Sequence, residues 1–379
     1  MIVKQITSMT EVDADSWNRL VQGKDPFVSH EFLAALEESG SVCAETGWRP
    51  RHLLVYREQE LIAAMPLYLK DHSWGEYVFD QQWADAYYQS GMDYYPKWVN
   101  AVPFTPCQGQ RLLLAPALDK HSVIERCIDY IKRLSEHKKI SSLHCLFPDP
   151  VQAQDLEKIM LLREGVQFHW FNRGYHDFAD YLQSFSARQR KKISKERRKI
   201  AEQGIDLIRL RGAEIGERQW RHFFRFYQAT YLKRGQYPYL NQEFFMRLAQ
   251  SMPDQLLLVL AVKGNKIVAA ALSLIGEDTL YGRYWGSHNE YDGLHFETCY
   301  YQGLEYCLEH GVKRFDSGAQ GEHKISRGFE PVTTYSAHWL QNSRFSDLIA
   351  EFLRREKPLI RQYKYNCRGR LPFKARSDN

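Results

Sequence analysis

Apolar and polar positions alternate along IDLIRL (205–210), the pattern of a short strand with one buried face. The spacing lengthens in ERQWRHFFRFYQATYLKRG (217–235). There Trp220, Phe223, Phe224 and Tyr227 recur every three or four residues and predict a helix closed at Gly235. NQEFFMRLAQSM predicts a second helix, with Asn241 capping its first turn. Three apolar runs follow, QLLLVLAV, KIVAAALSLI and TLYGRYW, separated by turns at Lys263-Gly264-Asn265 and Gly276-Glu277-Asp278. In HFETCYYQGLEYCLEHG, Phe296, Cys299, Tyr300, Gly303, Leu304, Cys307 and Leu308 share one helical face, and Gly311 supplies the left-handed stop. VKRFD (312–316) and TYSAHWL read as strands flanking a polar loop.

The first half runs through the same order. IVKQITS reads as a strand, DADSWNRLVQ and SHEFLAALEESG as short helices, and RHLLVYRE with ELIAAMPLYLK as a hairpin. A helix over 121–134 and the strand SSLHCLF follow, and LIAAMPLYL (61–69) overlays IVAAALSLI (267–275). The sequence therefore predicts an α/β chain with mixed α+β sheets, built from one unit used twice. The expected divisions are 1–170, a connecting helix over 171–204, and 205–379 with a C-terminal helix. Phe178, Leu182, Phe185, Gln189, Ile193 and Ile200 mark the apolar edge of that connector, which Gly204 ends.

Composition sharpens this picture in two places. The chain has 379 residues, enough for two cores, and a formal charge of +5. RQRKKISKERRK (188–199) alone holds eight basic residues against one acid, so the rest of the chain is slightly acidic. Arg190, Lys191, Lys195 and Arg198 in that run are candidates for a phosphate-rich partner, such as CoA, a nucleotide-linked acceptor, tRNA or an anionic membrane surface. Aromatic residues do not interleave the run, which counts against stacking on single-stranded nucleic acid. Seven cysteines form no C-x-x-C pair, and no run is apolar enough for a membrane span or a secretory leader, so a cytoplasmic, reducing location is expected.

Residues 315–331, FDSGAQGEHKISRGFEP, crowd ionisable groups among glycines where neither helix nor strand is expected. The order of elements around this loop is similar to the GNAT acyltransferase fold, whose sheet splays between its fourth and fifth strands. Two such units in one chain look like the Fem-type transferases, which add amino acids to peptidoglycan precursors from aminoacyl-tRNA. More closely, GRYWG (282–286), HFETCYYQGLEY (295–306), GAQGEHKISRGFEP (318–331), TYSAHW (334–339), SHEFLAALEESGSV (29–42) and VPFTPCQGQRLL (102–113) resemble the FemAB-like predicted N-acyltransferases of bacteria. One departure matters. The tight glycine turn that grips a CoA pyrophosphate in many GNAT enzymes is replaced by YWGSHNEYDGLHFE, so the sequence leaves the donor open between acyl-CoA and aminoacyl-tRNA.

The resemblance implies that the loop lies at the splayed edge where donor and acceptor meet. Gly318 and Gly321 would turn the backbone sharply, and Gln320, Glu322, His323, Lys324 and Arg327 would point into the cleft. Acyl transfer to an amine needs a base, for which Glu322 or His323 is expected, with Glu297 behind them. Arg283, Lys324 and Arg327 suit a carboxylate or phosphate, and Tyr284, Trp285 and His295 complete the substrate-binding set. In the first half, Ser29 reads as a helix cap, while Tyr68, Lys70 and Trp83, followed by Tyr87 and Tyr88, would line an acceptor groove between the units. His295-x-Glu297 with His323 and His338 lacks the spacing of a metal site, so no metal is expected. Cys299 and Cys307 read as packing residues. The expected activity is N-acyl transfer to a small-molecule or peptide-like amine acceptor. The alternatives are a tRNA-dependent aminoacyl transferase acting on a cell-envelope precursor, or a non-catalytic module gripping an anionic ligand or RNA.

Overall fold

The computed structural model describes residues 1–116, 118–319 and 321–374. It divides into two compact units, Met1–Val166 with Thr333–Tyr363, and Gln167–Val332 with Lys364–Asn379. These divisions differ from the expected ones at the C-terminal side. Ser336–Leu340 pairs antiparallel with Ser142–Leu146, which gathers residues after 332 into the first unit.

In the first unit, Ile2–Ile6, His52–Arg57, Glu60–Met65 and Leu113–Leu114 form an antiparallel sheet in the order 1-2-3-4. A second run of strands pairs Trp48–Pro50 with Tyr68–Lys70, then Lys97–Asn100, then parallel to Ser142–Leu146. The helix Lys120–Lys138 covers this unit, and its Val123, Cys127, Ile128 and Ile131 meet Leu53, Ile62, Trp98 and Leu143 in one core. Ser29 caps the helix His30–Glu38 by accepting from the Phe32 N–H.

The second unit follows the sequence pattern closely. Ile205–Arg211, Leu256–Lys263, Lys266–Ile275 and Thr279–Ser287 are successive antiparallel neighbours. Thr279–Ser287 then runs parallel to Arg314–Asp316, which pairs with His169, Trp170 and Phe171. The helix Glu217–Leu232 lies against the sheet at Gly286, where any added Cβ would sit 2.1 Å from the backbone of Phe226. Only a glycine admits that approach.

Three local features depart from expectation. The connector is two helices, Phe178–Gln183 and Ala187–Glu202, with the chain between them held by Ser186 N–H donating to the Pro372 carbonyl. The polar loop is not irregular throughout. Glu322–Arg327 winds into a 3-10 turn between left-handed Gly321 (φ +107°) and Gly328 (φ +82°), and Gly318 is left-handed as well. The helical stretch Leu294–Glu309 contains a π-turn at Glu297–Tyr301. That wide turn shifts the phase of the buried face, so Thr298 and Tyr301 are buried where a uniform helix would favour Cys299.

Candidate active site

Pairing between Thr279–Ser287 and Arg314–Asp316 covers only Thr279 to Tyr281, so the longer strand runs on for six residues beyond its parallel neighbour. The register with Lys266–Ile275 also shifts there: Leu272 faces Tyr284 while Ser273 faces Gly282, leaving Arg283 as the extra residue of a bulge. Strand, bulge and opened edge together make the splay that the order of elements led one to expect.

Arg283 sits in this opening but does not reach out from it. Its side chain is buried and grips Asp316 in two-point fashion, at 3.1 and 2.9 Å. Burial alone would raise the Asp316 pKa, but Arg283, with help from His169 and the Gly318 N–H, holds it well below the ordinary carboxylate range. Lys324 turns inward likewise, its Nζ donating to the Ser317 and Gly318 carbonyls at 3.0 and 2.7 Å. Burial, aided by Arg283 and opposed by Asp316, pulls its pKa down to about 8. Arg327 donates to the His323 carbonyl and to Glu196, both at 2.8 Å, and stacks 3.4 Å from the Phe296 ring centre. These three cations therefore brace the loop from inside. The sequence pattern expected them in the cleft, and a buried charge needs such partners.

The candidate bases separate sharply. Glu322 is exposed and ion-paired with Arg370 at 2.6 Å. Glu297 is buried, held by two nitrogens of Arg197 and by the Gln302 amide. His323 is exposed, and its Nε2 lies 2.9 Å from the Tyr300 hydroxyl. Packing that strips water from one side of the ring lowers its pKa, and Lys324 and Arg327 add to the effect. His295 stands beside it, 6.2 Å between ring centres, and edges onto Trp285 and Tyr300. Its pKa falls to about 4, first through burial and then through His323, Arg327 and Lys324. Gln320 lies outside the described residues.

Trp285 and His295 also line a cleft of about 610 Å³ that sequence reasoning did not outline. Lys233 and Arg234 open into it from the chain just after Glu217–Leu232; both are exposed and neither makes an ion pair among the described residues. Their signal was present in the helix-ending string YLKRG, but nothing in its spacing showed which way it faces. Left-handed Gly293 forms the turn into Leu294–Glu309, and Gly293, Leu294 and His295 line the cleft there. Tyr284, by contrast, belongs to the core, edging onto Tyr227 and Phe245.

Elsewhere the expected residues scatter. On Ala187–Glu202, Lys191, Lys195 and Arg198 are exposed and Arg190 is partly buried, while Ile193 and Ile200 seat the helix. In the first unit Tyr68, Lys70 and Trp83 are buried: Tyr68 packs on Trp48 and His52, Trp83 on His338, and Lys70 lies 3.7 Å over the Trp48 ring. His338 shares a 2.7 Å hydrogen bond with His144, far in kind from a metal set; among the described residues no three His, Cys, Asp or Glu side chains converge as ligands. All seven cysteines are free, and no described helix is long and apolar enough to cross a membrane.

Comparison with known proteins gives a consistent picture. The FemAB-like family model, described by peptidoglycan biosynthesis/recognition, matches residues 8–375. Among solved structures, FemX is 13% identical, with a TM-score of 0.54 over 92% of this chain and 100% of its own. The C-terminal domain of a putative lysylphosphatidylglycerol synthetase from Agrobacterium fabrum is 10% identical, with a TM-score of 0.55 over 91% and 97%. L-PGS from Bacillus licheniformis is 11% identical, with a TM-score of 0.50 over 88% and 98%. At such identities the likeness is one of fold. A search of the curated proteins finds no significant match.

Proposed function

This chain belongs to the FemAB-like family of transferases, and we propose that its second unit moves an acyl group from an activated donor onto an amine. The observation that carries the reading is the juxtaposition of a 610 Å³ cleft, two cations at its side that make no ion pair among the described residues, and an exposed histidine, His323, whose ring centre lies 6.2 Å from that of cleft-lining His295. Lys233 and Arg234 would neutralise donor phosphates. N–H groups of the strand beyond Tyr281, freed from parallel pairing, would receive the carbonyl oxygen as it becomes an oxyanion.

In this reading His323 takes the proton. The base-competent form is the tautomer in which Nε2–H donates to the Tyr300 oxygen and Nδ1 keeps its lone pair. The amine nitrogen attacks the acyl carbon, the tetrahedral oxyanion collapses, and the bond to the donor's sulfur or oxygen breaks as the amide forms. His323 returns the proton to the leaving group. Its lowered pKa keeps the ring neutral, and so able to accept, at physiological pH. Glu322 and Glu297 fit a base poorly, because Arg370 and Arg197 already engage them.

The donor we favour is an acyl-CoA, with the reaction running in the cytoplasm, where seven free thiols are stable. A second reading takes an aminoacyl-tRNA as donor. It is favoured by the exposed row Arg188, Lys191, Lys192 and Lys195, none of which makes an ion pair among the described residues. Thermal denaturation with acyl-CoAs of several chain lengths and with tRNA at rising salt tests both. A rise in Tm with acyl-CoA supports the first. No response to any acyl-CoA, with salt-sensitive tRNA binding, replaces it with the second, and no response to either ligand removes the transferase reading.

A further inference from the structure

The basic run 188–199 holds one acid, Glu196, among its eight basic residues, and the fold turns that acid inward. Ile193, Glu196, Arg197 and Ile200 recur at the spacing of one helical stripe on Ala187–Glu202. The two isoleucines are buried and the two charged residues are partly so, while Arg188, Lys191, Lys192 and Lys195 stay exposed. Neither the cleft nor the basic surface of the helix makes use of the inward pair.

Glu196 and Arg197 grip two separate turns of the second unit. Glu196 Oε2 accepts from Arg327 Nη2 at 2.8 Å and also from the Tyr301 hydroxyl. Arg327 in turn donates from Nη1 to the His323 carbonyl at 2.8 Å. Arg197 donates to both oxygens of Glu297, at 3.1 and 2.9 Å, and to Glu305 at 2.6 Å, with its guanidinium 4.6 Å from the Phe178 ring centre. Glu297 opens the π-turn that carries Tyr300, and the Tyr300 hydroxyl is the partner of His323 Nε2. Adjacent residues of one helix thus hold both halves of a contact that neither of them makes. His323 needs such a hold. Its side chain is exposed, and its 3-10 turn lies between left-handed Gly321 and Gly328, so the turn itself constrains it weakly. Displacing a reacting group by about 1 Å can cost about 10²-fold in rate.

We infer that Glu196 and Arg197 are positioning residues, which together set the His323 ring against the Tyr300 hydroxyl. Glu196 fixes the main chain of the histidine through Arg327 and ties that turn to Tyr301, while Arg197 anchors the start of the turn that presents Tyr300. The role rests on the transferase reading above, in which His323 is the base.

Nitrogen-15 NMR of the imidazole rings in the full chain, with His323 assigned by its loss in His323→Gln, reads the ratio of its Nε2–H to its Nδ1–H tautomer. The wild type should be held in the Nε2–H form. Glu196→Gln keeps the size of the side chain and removes its charge, and Arg197→Met removes the two-point grip on Glu297. Each should lower the ratio roughly fivefold, the effect of one lost hydrogen bond. Glu196→Asp should restore part of it. Ile193→Ala loosens the same helix through packing alone and should lower the Tm without moving the ratio. An unchanged ratio in Glu196→Gln and Arg197→Met overturns the inference. So does an equal loss in Ile193→Ala, which would leave the two charged residues as no more than seating for the helix. If acetyl-CoA or tRNA still raises the Tm while the ratio does not move, only the positioning role is lost; if neither ligand raises the Tm, the transferase reading falls and this role with it.

Discussion

Arg283 and Asp316 face each other at the point where two parallel strands part, joined by hydrogen bonds of 3.1 and 2.9 Å and closed off from solvent. Their contact fixes both the bulge on one strand and the first turn of the loop on the other, because Asp316 also accepts from the Gly318 N–H. Removing one partner strands a buried charge. Arg283→Ala should lower unfolding free energy by about 3–5 kcal/mol, read from urea midpoints, and Arg283→Lys should recover only part of it. The lowered Asp316 pKa sets the sign of its pH dependence. Its contribution is complete above the unfolded value near 3.8 and fades as pH falls below it.

His323 and Glu322 are neighbours with opposite expected phenotypes. His323→Gln should reduce kcat by about 10²–10⁴-fold, whereas Glu322→Gln, on an exposed side chain paired with Arg370, should stay within about twofold. Because the His323 pKa is lowered, the acidic limb of a kcat/KM profile should fall below pH 6.5. Tyr300→Phe should move that limb. A profile unchanged by either substitution would exclude this histidine as the base.

Lys233 and Arg234 make a separable claim about the donor. A Lys233→Ala/Arg234→Ala variant should keep its Tm without ligand, since both side chains are exposed and neither is ion-paired among the described residues, and should bind acyl-CoA about 10–100-fold more weakly. The effect should belong to KM rather than kcat. Equal affinity in isothermal titration would move the phosphates elsewhere.

Gly286→Ala should destabilise the second unit by about 3 kcal/mol, at the upper end for an overpacked site. The new methyl would meet main-chain atoms of Phe226, which cannot rotate away as a side chain would. Guanidinium unfolding followed by aromatic circular dichroism is a direct readout. Wild-type stability would mean that the helix Glu217–Leu232 can shift.

Acid should weaken the first unit through a buried histidine pair. Burial, with neighbouring Lys97, holds His144 near a pKa of about 3, and burial with His144 holds His338 well below its usual value. Both pKa values are lower in the folded state, so stability is full above about pH 6.5 and declines as pH falls toward 4. Glu76, raised by burial to about 7, opposes this by gaining a proton in the folded state over part of the same range. His144→Gln should therefore flatten the decline in Tm between pH 6.5 and 4.

Periodicity revealed most of the second unit. The Trp220-Phe223-Tyr227 stripe, the Lys263–Asn265 turn and the Asn241 cap all lie where spacing and turn chemistry require them. What pattern could not supply was direction. Lys324 and Arg327 carry charges that favour solvent, and only the fold shows carbonyls, Glu196 and Phe296 waiting inside. Lys70 and Lys97 were hidden for the same reason, since a lysine in a short strand gives no sign of the Trp48 ring and Trp74 carbonyl that meet the first, or of the Glu76 and Asp80 carboxylates that meet the second. The phase change at Glu297–Tyr301 was illegible as well, because a π-turn uses the same residues as an ordinary helix.

The path of the chain through its two units limits how the protein can be dissected. Because Thr333–Tyr363 returns to the first unit, a fragment ending at residue 166 loses the strand that pairs with Ser142–Leu146, and exposes that strand's edge to self-association. Expression of residues 1–166 alone is therefore expected to yield an aggregation-prone fragment, because the sheet of that unit is completed by a strand that arrives more than 150 residues later in the chain.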